Sequence, residues 1–309
     1  MKRLGILAAV FVLLGGILVV QRWQRSRIVV SAPAETLSVD PDRVTQLRIE
    51  RHGEEPVVLE RVAGGSWKLT SPVEYRANEQ VISGILQSLK ALELEDIVST
   101  NPQNQGTYQV DSLGTRVQVQ EGDKTALELV VGKSSPDFSH TYVRPADRQE
   151  VYRAVGILTY NFNKRVDDWR DKTILQVDQD NIDKVVLEYP KDGKQVIVSR
   201  RDSLWAVAED GQAPQNADST AAAQLVRGAA KLMTANFATP EEAAKVDFAH
   251  PTFRLHVEAD SGPQTVEFVE SEENKVFARK TGDATIFQLY KASLTGLMKK
   301  AEDLRAKAS

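Results

Sequence analysis

The chain has 309 residues, 41% hydrophobic and 27% charged, ordinary proportions for globular protein and length enough for two domains of about 100–150 residues each. The first 34 residues hold five bases and no acid, so the remainder carries about nine excess negative charges; nucleic acid is thereby excluded as a target, because its binders need a basic face to displace counterions. Cysteine is absent, which removes disulfides, thiolate nucleophiles and cysteine metal ligands.

Leu4–Val20 runs 17 residues without a charge. As a helix it would span about 26 Å, close to the hydrocarbon thickness of a bilayer. Leu4, Phe11 and Val20 would face lipid, Trp23 would sit at the headgroups, and Arg22, Arg25 and Arg27 stop the run. A cleaved signal peptide fits less well, since its apolar core is shorter and bases occupy the usual cleavage region. Residues 1–27 are therefore read as a transmembrane helix contacting membrane lipid. The short basic tail is expected inside and the large domain outside. Residues 28–41, with Ser31, Pro33 and Pro41, read as a linker.

Beyond the linker the sequence repeats itself. Trp67 and Trp205 lie 138 positions apart, with Val44–Glu50 facing Ile182–Glu188 upstream. Downstream, Asn163–Lys172 faces Met298–Lys307 at an offset of 135. The period is too long for a solenoid, so it marks two similar domains, 42–176 and 177–309. In the first, Val44–Arg51, Pro56–Val62 and Trp67–Leu69 alternate as antiparallel strands. A helix capped by Asn78 follows, with Val81, Ile82, Ile85, Leu86, Leu89 and Leu92 on one face. Four short strands, Arg116–Glu121, Ala126–Val131, Thr141–Arg144 and Glu150–Ala154, precede a closing helix at Ile157–Lys164. The second copy repeats this order from Lys184 to Leu289, with helices at Thr220–Met233 and Lys291–Lys307 and a helical turn at Pro240–Val246. Hairpins with segregated packed helices predict an α+β fold class in each copy.

No motif commits the chain to a reaction. Gly132-Lys133-Ser134 lacks the earlier glycine of a P-loop, whose place is taken by Leu127. Gly64-Gly65-Ser66 has Lys68 where a nucleophile elbow needs its closing glycine. Asp178, Asp180 and Asp183 suggest a calcium loop, but Ile182 and Tyr189 occupy ligand positions. His52, His140, His250 and His256 share no zinc-site spacing. Asp167-Asp168 recurs as Glu302-Asp303, which points to a structural part. Catalytic, cofactor and metal residues are each expected to be none. The candidate contact loops are Ser134–Thr141, with Asp137 and His140, and Glu209–Asp218, with Gln212 and Asn216.

Trp67–Pro72 and the helix after it, then Tyr142-Val143-Arg144, Glu150-Val151-Tyr152 and Trp169-Arg170-Asp171-Lys172, resemble a bacterial family, domain of unknown function 4340. The second copy fits more loosely, with Leu304 for Trp169 and Ala306 for Asp171. The resemblance implies a single span of the bacterial inner membrane and an extracytoplasmic α+β region. Family members are often found beside ABC-type permeases and the gliding-motility component of such transporters. The expectation is a non-enzymatic accessory or interaction subunit of an ABC-type envelope transport system, with an ABC permease or other envelope protein as partner. The alternatives are an envelope glycan- or peptide-binding module, with Tyr108, Tyr142 or Tyr160 at its wall, and a carboxylate hydrolase.

Overall fold

The computed structural model describes residues 35–202, 204–271 and 274–306. Leu4, Phe11, Val20 and Trp23, and with them the expected anchor, lie outside the described residues. Among the described residues no helix is long and apolar enough to cross a membrane. The chain divides into two compact units, the first ending at Asp171 and the second beginning at Lys172.

The first unit is one antiparallel sheet of ten strands. In chain order these are β1 (Glu35–Leu37), β2 (Gln46–Glu50), β3 (Val57–Arg61), β4 (Trp67–Ser71), β5 (Tyr75–Arg76), β6 (Leu92–Ser99), β7 (Thr115–Glu121), β8 (Lys124–Ser134), β9 (His140–Pro145) and β10 (Val151–Val155). Their order across the sheet is β1-β6-β10-β9-β8-β7-β2-β3-β4-β5. Period-2 patterning explains the two faces. In β2, Leu47 and Ile49 are buried while Gln46, Arg48 and Glu50 are half-exposed. On the buried face the helix Glu79–Leu89 contributes Ile82, Ile85, Leu86 and Leu89 to a core with Leu69, Val119 and Trp169. Each such side chain contributes about 1.5–3 kcal/mol on leaving water. The Asn78 side chain accepts from the Val81 amide, capping the helix as its sequence predicts. The opposite face carries a small second core of Val110, Val130 and Val151, against which Tyr108 and Tyr142 pack with ring centroids 4.7 Å apart.

The second unit opens with β11 (Thr173–Gln176), which pairs outside the main sheet with β16 (Lys231–Met233). The main sheet comprises β12 (Ile182–Tyr189), β13 (Lys194–Arg201), β14 (Leu204–Glu209), β15 (Gln215–Asn216), β17 (Asn236–Phe237), β18 (Phe253–Ala259), β19 (Gln264–Glu270), β20 (Lys275–Lys280) and β21 (Phe287–Tyr290). Its order is β15-β14-β13-β12-β18-β19-β20-β21-β17. This matches the first sheet strand for strand from β5 to β6, so the sequence repeat is a repeat of topology. The helix Ser219–Ala230, capped by Asp218, packs on β12, β14 and β18 through Ala222, Leu225, Val226 and Ala229.

The same small joints recur. The Ala77 amide donates to the Trp67 carbonyl at 3.1 Å, and the Ala217 amide to the Trp205 carbonyl at 3.0 Å. The Asn78 and Asp218 amides each donate at 2.8 Å, to the carbonyls of Trp169 and Leu304. Isolated bridges Ala77↔Arg170 and Ala217↔Arg305 close each unit on the mouth of its own helix. Asp168 and Asp303 accept from the amides of Arg165 and Lys300, so the shared acidic pair caps a turn in each copy.

The α+β expectation is corrected. Among the described residues about 44% are strand and 20% helix, and each unit has only one helix of more than five residues. Leu92, placed on the helix face by its spacing, instead opens β6, because the helix ends at Leu89 and Leu92 and Leu94 alternate with Glu93. The expected helix at Lys291–Lys307 is two 3-10 turns, Lys291–Leu294 and Ala301–Asp303. Leu294, Leu297, Ala301 and Leu304 are buried at helix-like spacing. The backbone ends of this segment are nevertheless committed elsewhere: the Ala306 amide goes to the Asn216 carbonyl, and Gly296 disfavours a continuous helix. The expected helix at Ile157–Lys164 is five residues, Leu158–Phe162.

Candidate functional site

Nine large apolar side chains stand exposed among the described residues, and four of them lie between residues 138 and 155–160: Phe138, Val155, Ile157 and Tyr160. The fold brings them to one tip of the first unit. The Gly156 amide donates to the Ser139 carbonyl at 2.9 Å, joining the β8–β9 loop to the turn after β10. His140 pairs with Val155 in the β9–β10 register. Buried Thr141 ties both sides together, donating to the Gly156 carbonyl at 2.7 Å and accepting from the Leu158 amide at 2.9 Å. Phe138 is 76% exposed and Tyr160 72%, with the Lys164 ammonium 4.4 Å from the Tyr160 ring centroid.

Phe138 is held outward by a tight turn. The Asp137 carboxylate accepts from the Ser139 amide at 3.0 Å, and the Phe138 amide donates to the Ser135 carbonyl at 3.0 Å. This sets Phe138 at φ +57°, a conformation a bulky L-residue rarely adopts. The Ser139 amide, together with His140, holds the Asp137 carboxyl down to about 2. The second unit contains a similar tetrapeptide, Asp247-Phe248-Ala249-His250. There the Asp247 side chain accepts from the Ala249 amide at 2.9 Å and meets His250 Nδ1 at 2.8 Å. Phe248, however, is buried, with Arg279 4.4 Å from its ring centroid. One turn hides its phenylalanine and the other displays it.

The two candidates in the first loop form a brace. His140 Nδ1 lies 2.8 Å from Asp137 Oδ2 and 2.9 Å from Ser139 Oγ, and Nε2 lies 3.0 Å from Glu95 Oε2. Both ring nitrogens are taken, which leaves no lone pair directed at a substrate. Arg153 completes the cluster at 2.6 Å from Asp96 and 3.3 Å from Glu95. In the second unit, Gln212 Oε1 lies 3.4 Å from Arg305 Nη2, and Asn216 belongs to β15, where its carbonyl accepts from Ala306. Asn216 is thus a main-chain part of the sheet closure. Beside these residues a groove of about 730 Å³ is lined by Tyr189, Lys194, Glu209, Met298, Lys300 and Arg305. Its cations are neutralised in place: Arg305 and Lys194 face Glu209 at 3.3 and 3.9 Å, and Lys300 faces Glu302 at 3.6 Å.

Among the described residues no group of three or more His, Asp or Glu is placed to hold a metal. The carboxyls with displaced pKa values, Glu35, Glu74, Asp137, Glu242 and Asp247, are all displaced downward by donors beside them. A general acid needs the opposite shift.

A family model described as Domain of unknown function (DUF4340) matches residues 67–251, more than half of the chain. The chain belongs to this family. No curated protein and no solved structure matches it. The DUF4340 match begins at Trp67 and stops before β18, so it covers neither folding unit whole. It includes the entire tip.

The sequence points to the loop around Phe138 and, in the binding-module alternative, to Tyr160, but not to Phe138 or Ile157 as contact residues. The usable signal was the repeat. Equivalent hydrogen bonds, Ser135 to the His140 carbonyl and Ser271 to the Lys275 carbonyl, align the two turns. The second copy reads Glu270-Ser271-Glu272-Glu273-Asn274 there, and Lys291-Ala292-Ser293 where the first has Gly156-Ile157. Tyr290, the counterpart of Val155, is exposed as well.

Proposed function

We propose that this chain is a non-enzymatic interaction subunit of an envelope ABC-type transport system, that its folded part is extracytoplasmic, and that it docks a partner protein through the tip formed by Phe138, Val155, Ile157 and Tyr160. One observation carries the docking reading. Whatever the fold itself requires, such as the Trp67 and Trp205 joints, recurs in both units, whereas Phe138, Ile157 and Tyr160 are displayed in one. Exposed apolar groups that the fold does not need mark contact surfaces, and the rigid turn beneath them lowers the entropy lost on binding. The transport assignment is supported by the association of DUF4340-like chains with ABC permeases. The uncharged run Leu4–Val20, followed by three arginines, supports a location at the membrane.

The test is crosslinking and affinity purification of the full-length chain, followed by mass spectrometry, with wild type beside the triple variant Phe138→Ser, Ile157→Ser, Tyr160→Ser. Recovery of an ABC permease or its ATPase with wild type and its loss with the variant is the expected result. Equal recovery with both would remove the tip from the account. Recovery of the bait alone, under conditions that preserve a known membrane complex, would remove the transport assignment.

A further inference from the structure

The tip is apolar at its centre and unevenly charged at its flanks. On the sheet side, β6 turns Leu92 and Leu94 inward and Glu93 and Glu95 outward. Ala154 pairs with Leu94, and one step along that register Glu93 lies beside Val155. Asp96 and Asp137 belong to the same flank, giving four carboxylates against the single guanidinium of Arg153 and the imidazole of His140. Arg153 is committed to Asp96 and Glu95, which leaves Glu93 exposed beside the apolar cluster. The Asp137 carboxylate accepts from the Ser139 amide and meets His140 Nδ1, one contact on each oxygen, which leaves each oxygen able to accept again from the rim. The opposite flank, on the side of the helix Leu158–Phe162, carries Lys164 over Tyr160.

From this we infer, resting on the docking reading above, that the partner presents a protein segment in which bulky apolar side chains are directly flanked by lysine or arginine. The apolar side chains would seat on Phe138 and Val155 while the cations meet Glu93, Glu95 and Asp137. The opposed signs of the two flanks would fix the direction in which the segment crosses the tip. Complementary charge of this kind sets partner choice and register more than raw affinity. The net negative charge of the chain beyond residue 34 also favours encounter with a basic segment and disfavours an anionic bilayer as the occupant.

Site-specific photocrosslinking in cells tests this, using the full-length chain with p-benzoylphenylalanine at position 138 or 160. The expected product is a protein adduct whose crosslinked peptide carries Lys or Arg within a few residues of the captured apolar side chain. Reversal of the rim charge by Glu93→Lys should lower its yield roughly tenfold, and reversal of the captured peptide's basic residue should restore it. Protein adducts with acidic or uncharged peptides, or a yield indifferent to Glu93→Lys, would overturn the charge inference and leave docking standing. Lipid adducts would replace the protein partner with the bilayer. Crosslinks from neither position would overturn docking and this inference together.

Discussion

The guanidinium of Arg200 lies 5.0 Å from the ring centroid of Trp205, and the two residues are directly cross-strand partners on β13 and β14. Arg61 and Trp67 repeat the pair at 5.1 Å, again cross-strand. Each tryptophan also accepts, through its carbonyl, the amide that leads into the helix cap. The pair fixes the corner at which hairpin becomes helix.

Removing that corner should cost unequal amounts in the two units. Trp67 is buried, so Trp67→Ala is expected to destabilise the first unit by about 3–5 kcal/mol. Trp205 is only partly buried, and its replacement by Ala should cost less. Urea titration followed by far-ultraviolet circular dichroism measures both, since Trp205 is the one tryptophan of the second unit; a larger loss at Trp205 would contradict the assignment.

A fragment spanning the family match, residues 67–251, should fail to fold. It lacks β2 and β3, which sit between β7 and β4, and it lacks β18–β21, which complete the second sheet. A fragment of residues 35–306 should give a cooperative unfolding transition. Amide shift dispersion distinguishes the two, and a dispersed spectrum from the shorter fragment would refute the strand accounting.

Replacing Phe138, Ile157 and Tyr160 together by Ser should change stability by no more than about 0.5 kcal/mol per site, as exposed substitutions do. Phe138→Gly should relieve the left-handed backbone, worth about 1–2 kcal/mol, against the added freedom of its unfolded chain. Loss of several kcal/mol from either variant would show that the tip supports the fold rather than a partner.

Burial, with a smaller contribution from Asp303, raises the Tyr189 hydroxyl from its ordinary 10 to about 12. The folded state therefore resists an ionisation that the unfolded chain undergoes freely. The resulting stability is present below pH 10 and is lost as pH rises toward 12. Tyr189→Phe should flatten this alkaline limb, while removing a 2.8 Å bond to the Lys299 carbonyl should cost about 1 kcal/mol at neutral pH.

Asp137 gives the acidic counterpart, since its folded value of about 2 lies below its ordinary 3.8. That contribution is present above pH 3.8 and is lost as pH falls toward 2. Asp137→Asn should reduce the slope of stability against pH in that window alone. An unchanged slope would mean that the Asp137 turn is not held in solution.

Much of this architecture was readable from pattern. Leu47 and Ile49 announced β2, Asn78 announced the helix start, and Trp67 with Trp205 announced the duplication. The errors arose where a local period was ambiguous. Leu92 suits a helix face as well as the first inward position of β6, and only pairing with β10 and β1 decides between them. Leu294, Leu297, Ala301 and Leu304 are spaced like a helix, but their burial is met by a segment of turns that ends with the Ala306 amide donating to β15. The tip was half legible. Its loop was visible in Ser134–Thr141, whereas the joining of Phe138 to Ile157 depends on the bonds that Ser139 and Thr141 make to Gly156 and Leu158, which no periodicity encodes.

The bridges Ala77↔Arg170 and Ala217↔Arg305 return the last residues of each unit to the mouth of its own helix. A unit of this kind is finished on its own terms: the element that ends it also caps its interior. Copy number then becomes a variable that evolution can change by whole units, because the main sheet of each unit draws its strands from that unit alone. In such an array one copy can drift toward a recognition role while another keeps a plain surface, a division of labour of which Phe138 and the acidic stretch of residues 270–274 at the equivalent turn are one instance.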